Sequence, residues 1–238
     1  DEILGFELGG VGLDGTKKSE FKKIISRLSK LSASFEENLL DSVNNYSLLI
    51  KDKNRLKGVP KDVLVKAKID AKFQKKSGWS FSLNFPCYMP VMQYADDREL
   101  RKQIYYAYAT KASDLSDKNK DNTDNINKIL LNKQKLANLL GFSDYASMAL
   151  TTKMANSSKE VINFLEDLAN KAKPFASKDM VDLINYGHKL NIDDIEAWDI
   201  AYLSEKIKEE RFNYSEQEIK NYFPDHKVID GLFKVVEA

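Results

Sequence analysis

The stretch EFKKIISRLSKLSASFEENL, Glu20 to Leu39, sets the period of this chain. Its apolar residues Phe21, Ile24, Ile25, Leu28, Leu31, Phe35 and Leu39 recur at steps of three and four, which lays them along one side of an α-helix. The spacing predicts a long amphipathic helix from near Thr16 to near Asn45. A coiled-coil dimer seam fits less well, because Asn38 and Ser42 interrupt the heptad and the flanking charges are not systematic.

Downstream, Gly58 punctuates the chain, and Pro60 suits the first turn of a helix running to about Gln74. After a Ser77-Gly78 turn the period changes to two. Trp79, Phe81, Leu83 and Phe85 alternate with Ser80, Ser82 and Asn84, as on a half-buried strand over 79–85. A lone strand leaves its backbone groups unpaired, so it needs a partner, and Tyr46 to Asp52, where Tyr46, Leu48 and Ile50 alternate, is the best candidate for an antiparallel pair.

Helical spacing then returns. A helix is expected from Pro90, with a break at Ala95–Asp97 and a continuation carrying Leu100, Ile104, Tyr105 and Tyr108 on one face. The run before Gly141 ends where a C′ glycine belongs. Ser157 with Glu160, and Ser215 with Glu218, have the spacing of capping boxes. Between them lies a long helix, bent or interrupted at Pro174, which lacks an N–H and crowds the preceding turn. Ser116 to Asn125 reads as a solvated loop, and no repeat of 20–50 residues is visible.

Composition bounds what the chain does. With 238 residues, 42% hydrophobic and 31% charged, it is long and apolar enough for a buried core. Its 37 basic and 36 acidic residues nearly cancel, so no global field draws it to nucleic acid or to an anionic membrane. The single cysteine, Cys87, excludes an internal disulfide and fits a reducing, cytoplasmic setting. The first residues have neither a basic nor an apolar signal region, and GLFKVVEA at the other end runs apolar without a helix cap, so the chain reads as cut at both ends.

Catalytic equipment is scarce. His188 and His226 stand 38 positions apart on different elements, and neither lies in an H-E-x-x-H pair that would bring two ligands to one metal. Cys87 has no neighbouring histidine to activate it. No G-x-S-x-G elbow or phosphate loop occurs, and the glycines of GGVGLDG do not follow a strand. The adjacent acids Asp96–Asp97, Asp193–Asp194 and Glu209–Glu210 diverge on a helix and read as caps or solvated faces. Tyr105, Tyr106 and Tyr108 could stack on bases, but with no basic groove they read as core or groove lining.

Five stretches carry a family likeness, in order along the chain. FELGGVGL (Phe6 to Leu13), PCYMPVMQYADDRELRKQIYYAYATKASD (Pro86 to Asp114), LLGFSDYASMALTTKMA (Leu139 to Ala155), AWDIAYLSEK (Ala197 to Lys206) and YFPDHKVIDGLFKVV (Tyr222 to Val236) closely resemble the oligopeptidase A branch of the thimet oligopeptidase family of zinc metallopeptidases. The family commonly follows its Trp-Asp helix start with Tyr-Tyr; here Leu203 replaces the second Tyr.

The resemblance implies a mainly α fold, a multihelical segment of a neurolysin-like zincin peptidase with one small antiparallel β pair. Residues 1–238 would then be a channel-wall portion of an enzyme that hydrolyses short peptides in a deep channel. Its H-E-x-x-H region, where zinc activates water and the motif Glu takes the proton, would lie beyond Ala238. Zinc is the cofactor and short peptides the partners implied for the full-length enzyme, with no nucleic acid and no membrane. Within 1–238 no catalytic, cofactor-binding or metal-ligating residue is assigned, and the segment alone is expected to be inactive. The rival reading is a helical scaffold that binds partner helices without enzymatic activity. For Ala197 to Lys206, local rules make Asp199 the N-cap of a helix to about Arg211, with Trp198 packed ahead of it as a hydrophobic staple.

Overall fold

A computed structural model of the chain describes residues 2–237. The described elements begin with α1 (Glu2–Leu8), α2 (Gly15–Asn44), β1 (Leu48–Ile50), α3 (Lys61–Phe73), β2 (Trp79–Phe81), α4 (Phe85–Tyr94) and α5 (Arg98–Ala109). They continue with α6 (Thr123–Leu139), α7 (Tyr145–Leu150), α8 (Ser158–Lys189), α9 (Ala197–Phe212), α10 (Glu216–Ile219) and α11 (Asp225–Glu237). The protein is mainly α with one two-stranded antiparallel sheet among the described residues, the class expected from the sequence.

Two compact units share the chain. One takes the residues up to Asn45 together with Thr110–Ser177; the other takes Tyr46–Ala109 and the residues from Lys178 onward.

In the first unit α2 packs on α6. Asp14 caps α2 by accepting from the Lys17 N–H at 3.1 Å, and Asn45 closes it, so the long apolar stripe gave both ends to within a residue or two. Ile24 is buried on this face, opposite a helix that buries Leu136 and Ala137. The polar residues that break the heptad have a purpose. Asn38 donates to the Oδ1 of Asn122 at 3.0 Å, and Asn122, only 2% exposed, donates in turn to the Phe35 carbonyl at 3.0 Å. The expected solvated loop at 116–125 is therefore corrected: Lys118–Lys120 form a 3-10 turn, and Asn122 is a buried tie between this turn region and α2. At the far end of α6 Gly141 adopts φ 88°, the Phe142 N–H reaches the Ala137 carbonyl at 2.9 Å, and the Gly141 N–H reaches Asn138 at 3.1 Å. This pair of bonds is the Schellman closure that the glycine predicts.

In the second unit β1 and β2 pair as Leu48↔Phe81, Leu49↔Ser80 and Ile50↔Trp79. The antiparallel pairing is as expected, but the strand stops at Phe81 instead of 85. Asn84 already begins α4, and Pro86 sits in its first turn, where a missing N–H costs nothing. The start expected at Pro90 is accordingly five residues late, and Phe85 lies 63% exposed. Phe81 and Leu83 are buried, yet so is Ser80, whose Oγ bonds Ser47 at 2.8 Å and receives the Gln74 Nε2 at 3.0 Å. The strand is thus covered on both faces by hydrogen bonding on one and packing on the other. Pro60 is the N-cap of α3, not a residue of its first turn. Just before it, Gly58 holds φ 80° with the Tyr94 carbonyl so near that a Cβ would come within 2.0 Å of it.

Of the bend or interruption expected at Pro174, the interruption does not occur: α8 runs continuously over 32 residues and carries the chain from the first unit into the second. Pro174 withholds an N–H from the Asn170 carbonyl, but both residues are exposed, so water can replace the bond. Ser157 accepts from the Glu160 N–H at 3.2 Å, while the Glu160 carboxylate reaches back one residue further than a capping box requires, to the Asn156 N–H at 2.8 Å. Ser215 likewise accepts from the Glu218 N–H at 3.3 Å.

Candidate functional site

The densest cluster of buried polar side chains joins α4, α5 and α9 within the second unit. It grows from two sequence features. Arg101 falls one residue from Leu100 and three from Ile104, in the middle of the apolar stripe of α5, so helix geometry drives its guanidinium inward. Asp199 and Leu203, four apart on α9, face inward together.

Both charges are fully buried and meet at 2.7 Å. Arg101 also donates from Nη1 to the Ala95 carbonyl at 2.7 Å and to the Asp96 carbonyl at 3.3 Å, and from Nε to the Trp198 carbonyl at 3.2 Å. The ends of α4 and α9 are thus gripped by one side chain. Arg98, partly exposed, forks onto the outer side of Asp199 from Nε at 3.0 Å and Nη2 at 2.7 Å. The Glu196 N–H completes the shell at 3.1 Å. Burial pushes the Asp199 carboxyl up, but the hydrogen bonds of Arg98 and Arg101 outweigh it and hold it below the usual carboxylate range.

This geometry corrects the assignment of Asp199 as N-cap. The cap is Glu196, with Ala197 the first helical residue, and Asp199 is at N3 with its carboxylate reaching back to the cap's N–H. Local rules favour Asp over Glu at a cap, and they hold no information about Arg98 and Arg101. Trp198 is inside the first turn, half-buried, with its ring edge-on to Tyr105 at 6.2 Å and Lys102 over its face at 5.2 Å.

The rest of AWDIAYLSEK is committed as tightly. The Tyr202 ring covers the Arg101 guanidinium at 4.1 Å, and its hydroxyl donates to Asp96 at 3.1 Å. Burial, then the Asp96 carboxylate, pushes the Tyr202 phenol up to about 12. Leu203 is completely buried. Glu205, 3% exposed, accepts from the Tyr94 hydroxyl at 2.8 Å and from Lys208 at 2.8 Å. Asp97 caps α5 by accepting from the Leu100 N–H at 3.0 Å and pairs with Arg55.

Chemically the cluster is an anchor. The Asp199 carboxylate is occupied by two arginines and held ionised, and a phenol pushed up to about 12, as at Tyr202, keeps its proton at neutral pH, so neither is poised for proton transfer to a substrate. Of the residues weighed from sequence, Tyr105 and Tyr108 join this neighbourhood, Tyr108 stacking on Tyr88 at 3.8 Å, while Tyr106 is 54% exposed. Cys87 is half-buried on α4, and burial pushes its thiol up, away from the reactive thiolate. His188 ends α8 and His226 begins α11, both exposed. Among the described residues no three His, Cys, Asp or Glu side chains are grouped to hold a metal ion. No sequence motif marks Arg98, Arg101, Tyr94 or Glu205; their one signal in the sequence is a charge inside the apolar stripe of α5, which demands a buried counterion.

Fold and site together define a helical protein whose polar interior ties elements together. Comparison with known proteins gives the class a family. The model of peptidase family M3 matches residues 91–238, and the chain belongs to that family. It is 38% identical to Oligopeptidase A of Salmonella typhimurium and of Escherichia coli over 99% of its own length, which is 35% of theirs. It is also similar to saccharolysin of Saccharomyces cerevisiae, at 29% identity over 96% of this chain and 32% of that protein. The chain thus spans about a third of the length of these curated relatives.

Proposed function

We propose that these 238 residues are part of a zinc-dependent metalloendopeptidase, an oligopeptidase that hydrolyses short peptides in a deep channel. In this reading the chain contributes channel wall and scaffold, and the catalytic residues lie elsewhere in the full-length protein. The observation that carries it is the similarity to Oligopeptidase A along 99% of the chain.

Among the described residues no grouping fits a zinc ion: His188 and His226 stand exposed on separate helices, and no ligand cluster accompanies either. No step of peptide hydrolysis is therefore assigned to them. The Arg98–Asp199–Arg101 cluster supports the scaffold role, because it spends its charges on holding α4, α5 and α9 together. Short peptides are the proposed partners, with neither nucleic acid nor membrane: the net charge is +1, and no described helix is long and apolar enough to cross a bilayer. The proposed location is cytoplasmic, on the strength of a single half-buried thiol.

The test has two parts. The coding sequence downstream of Ala238 should contain H-E-x-x-H, and the full-length protein should cleave a quenched oligopeptide, lose activity to a chelator and regain it with zinc. Absence of the motif, or chelator-resistant turnover, overturns the reading.

A further inference from the structure

We draw no further inference here: the strongest candidate, the apolar stripe of α8 through Phe164, Leu165, Leu168 and Phe175, is exposed along its length, and nothing in the structure shows what covers it.

Discussion

Arg101 and Asp199 stand 98 positions apart in sequence and meet at 2.7 Å with neither side chain reached by solvent. Each justifies the burial of the other. Removing one leaves an isolated charge in the interior, which is far more costly than losing a helix cap. Asp199→Ala is therefore expected to destabilise the 238-residue chain by about 3–5 kcal/mol, against the roughly 0.5–2 kcal/mol of a lost N-cap. Urea unfolding measures it. The double variant Arg101→Met with Asp199→Leu should be less destabilised than either single variant; a strictly additive cycle would mean that the two charges are not coupled.

The depressed Asp199 carboxyl makes part of this stability pH-dependent. The folded pKa lies below the unfolded one, so the contribution is fully present above the ordinary carboxylate range. It is lost as the pH falls through that range toward the folded value. The stability gap between the natural chain and Asp199→Asn should be constant from pH 7 down to about 5 and narrow on further acidification. A gap that widened in acid would contradict the ion-pair assignment.

Tyr88 and Tyr202 give the opposite sign at the alkaline end. Both phenols are pushed up to about 12, Tyr88 by burial and then by Tyr105 and Tyr108, Tyr202 by burial and then by Asp96. Their contribution is complete below the unfolded tyrosine pKa of about 10 and disappears as the pH rises toward the folded value. In a spectrophotometric titration of the folded chain, Tyr88 and Tyr202 should be among the tyrosines that ionise late. Tyr202→Phe should remove one of them, and an unchanged late fraction would refute the assignment.

The two faces of β2 are distinguishable by substitution. Phe81 has no exposed surface, and Ser80 is enclosed by Ser47 and Gln74, whereas Ser82 is half-exposed. Phe81→Ala should cost about 3–5 kcal/mol. Ser80→Asp should destabilise more than Ser82→Asp, which simple alternation does not foresee. Equal midpoints for the two serine variants would place Ser80 outside the core.

The elements that the sequence disclosed are those specified by neighbours. The apolar stripe Phe21 to Leu39, with Asp14 before it and Asn45 after it, contains all that is needed to place α2, and Gly141 alone signals its own Schellman turn. Phe85 shows where local reading fails, for it continues the alternation of β2 in composition while Pro86 has already committed the backbone to α4. The anchor was illegible for a different reason. An aspartate ahead of an apolar run has the same local pattern whether it caps a helix or pairs with arginines a hundred residues away. Asn122 was hidden likewise, in a run of Asn, Asp and Lys whose composition is that of a loop.

Asn122→Ala should accordingly behave as a core substitution. It strands the Phe35 carbonyl and the Asn38 amide, at about 1–3 kcal/mol for a buried group left unpaired. Asp124→Ala, at an exposed position two residues on, should leave the urea midpoint nearly unchanged. Matching losses would make the segment a uniform loop.

Trp198 decides whether AWDIAYLSEK serves the fold alone. Its indole Nε1 is buried without a hydrogen-bond partner among the described residues, so the N–H contributes a desolvation cost, while the ring packs against Tyr105 and Lys102. Trp198→Phe keeps an aromatic contact and removes the unpaired N–H, two effects of opposite sign and about 1 kcal/mol each. It should leave the melting temperature almost unchanged. Trp198→Ala removes the ring and should cost about 3 kcal/mol, at the low end for a large aromatic because the residue is only half-buried. In the full-length protein neither variant should alter the Michaelis constant for an oligopeptide. If Trp198→Phe raised that constant while the melting temperature stayed in place, the indole N–H would be donating to the substrate, and this stretch would belong to the peptide channel instead of to its support.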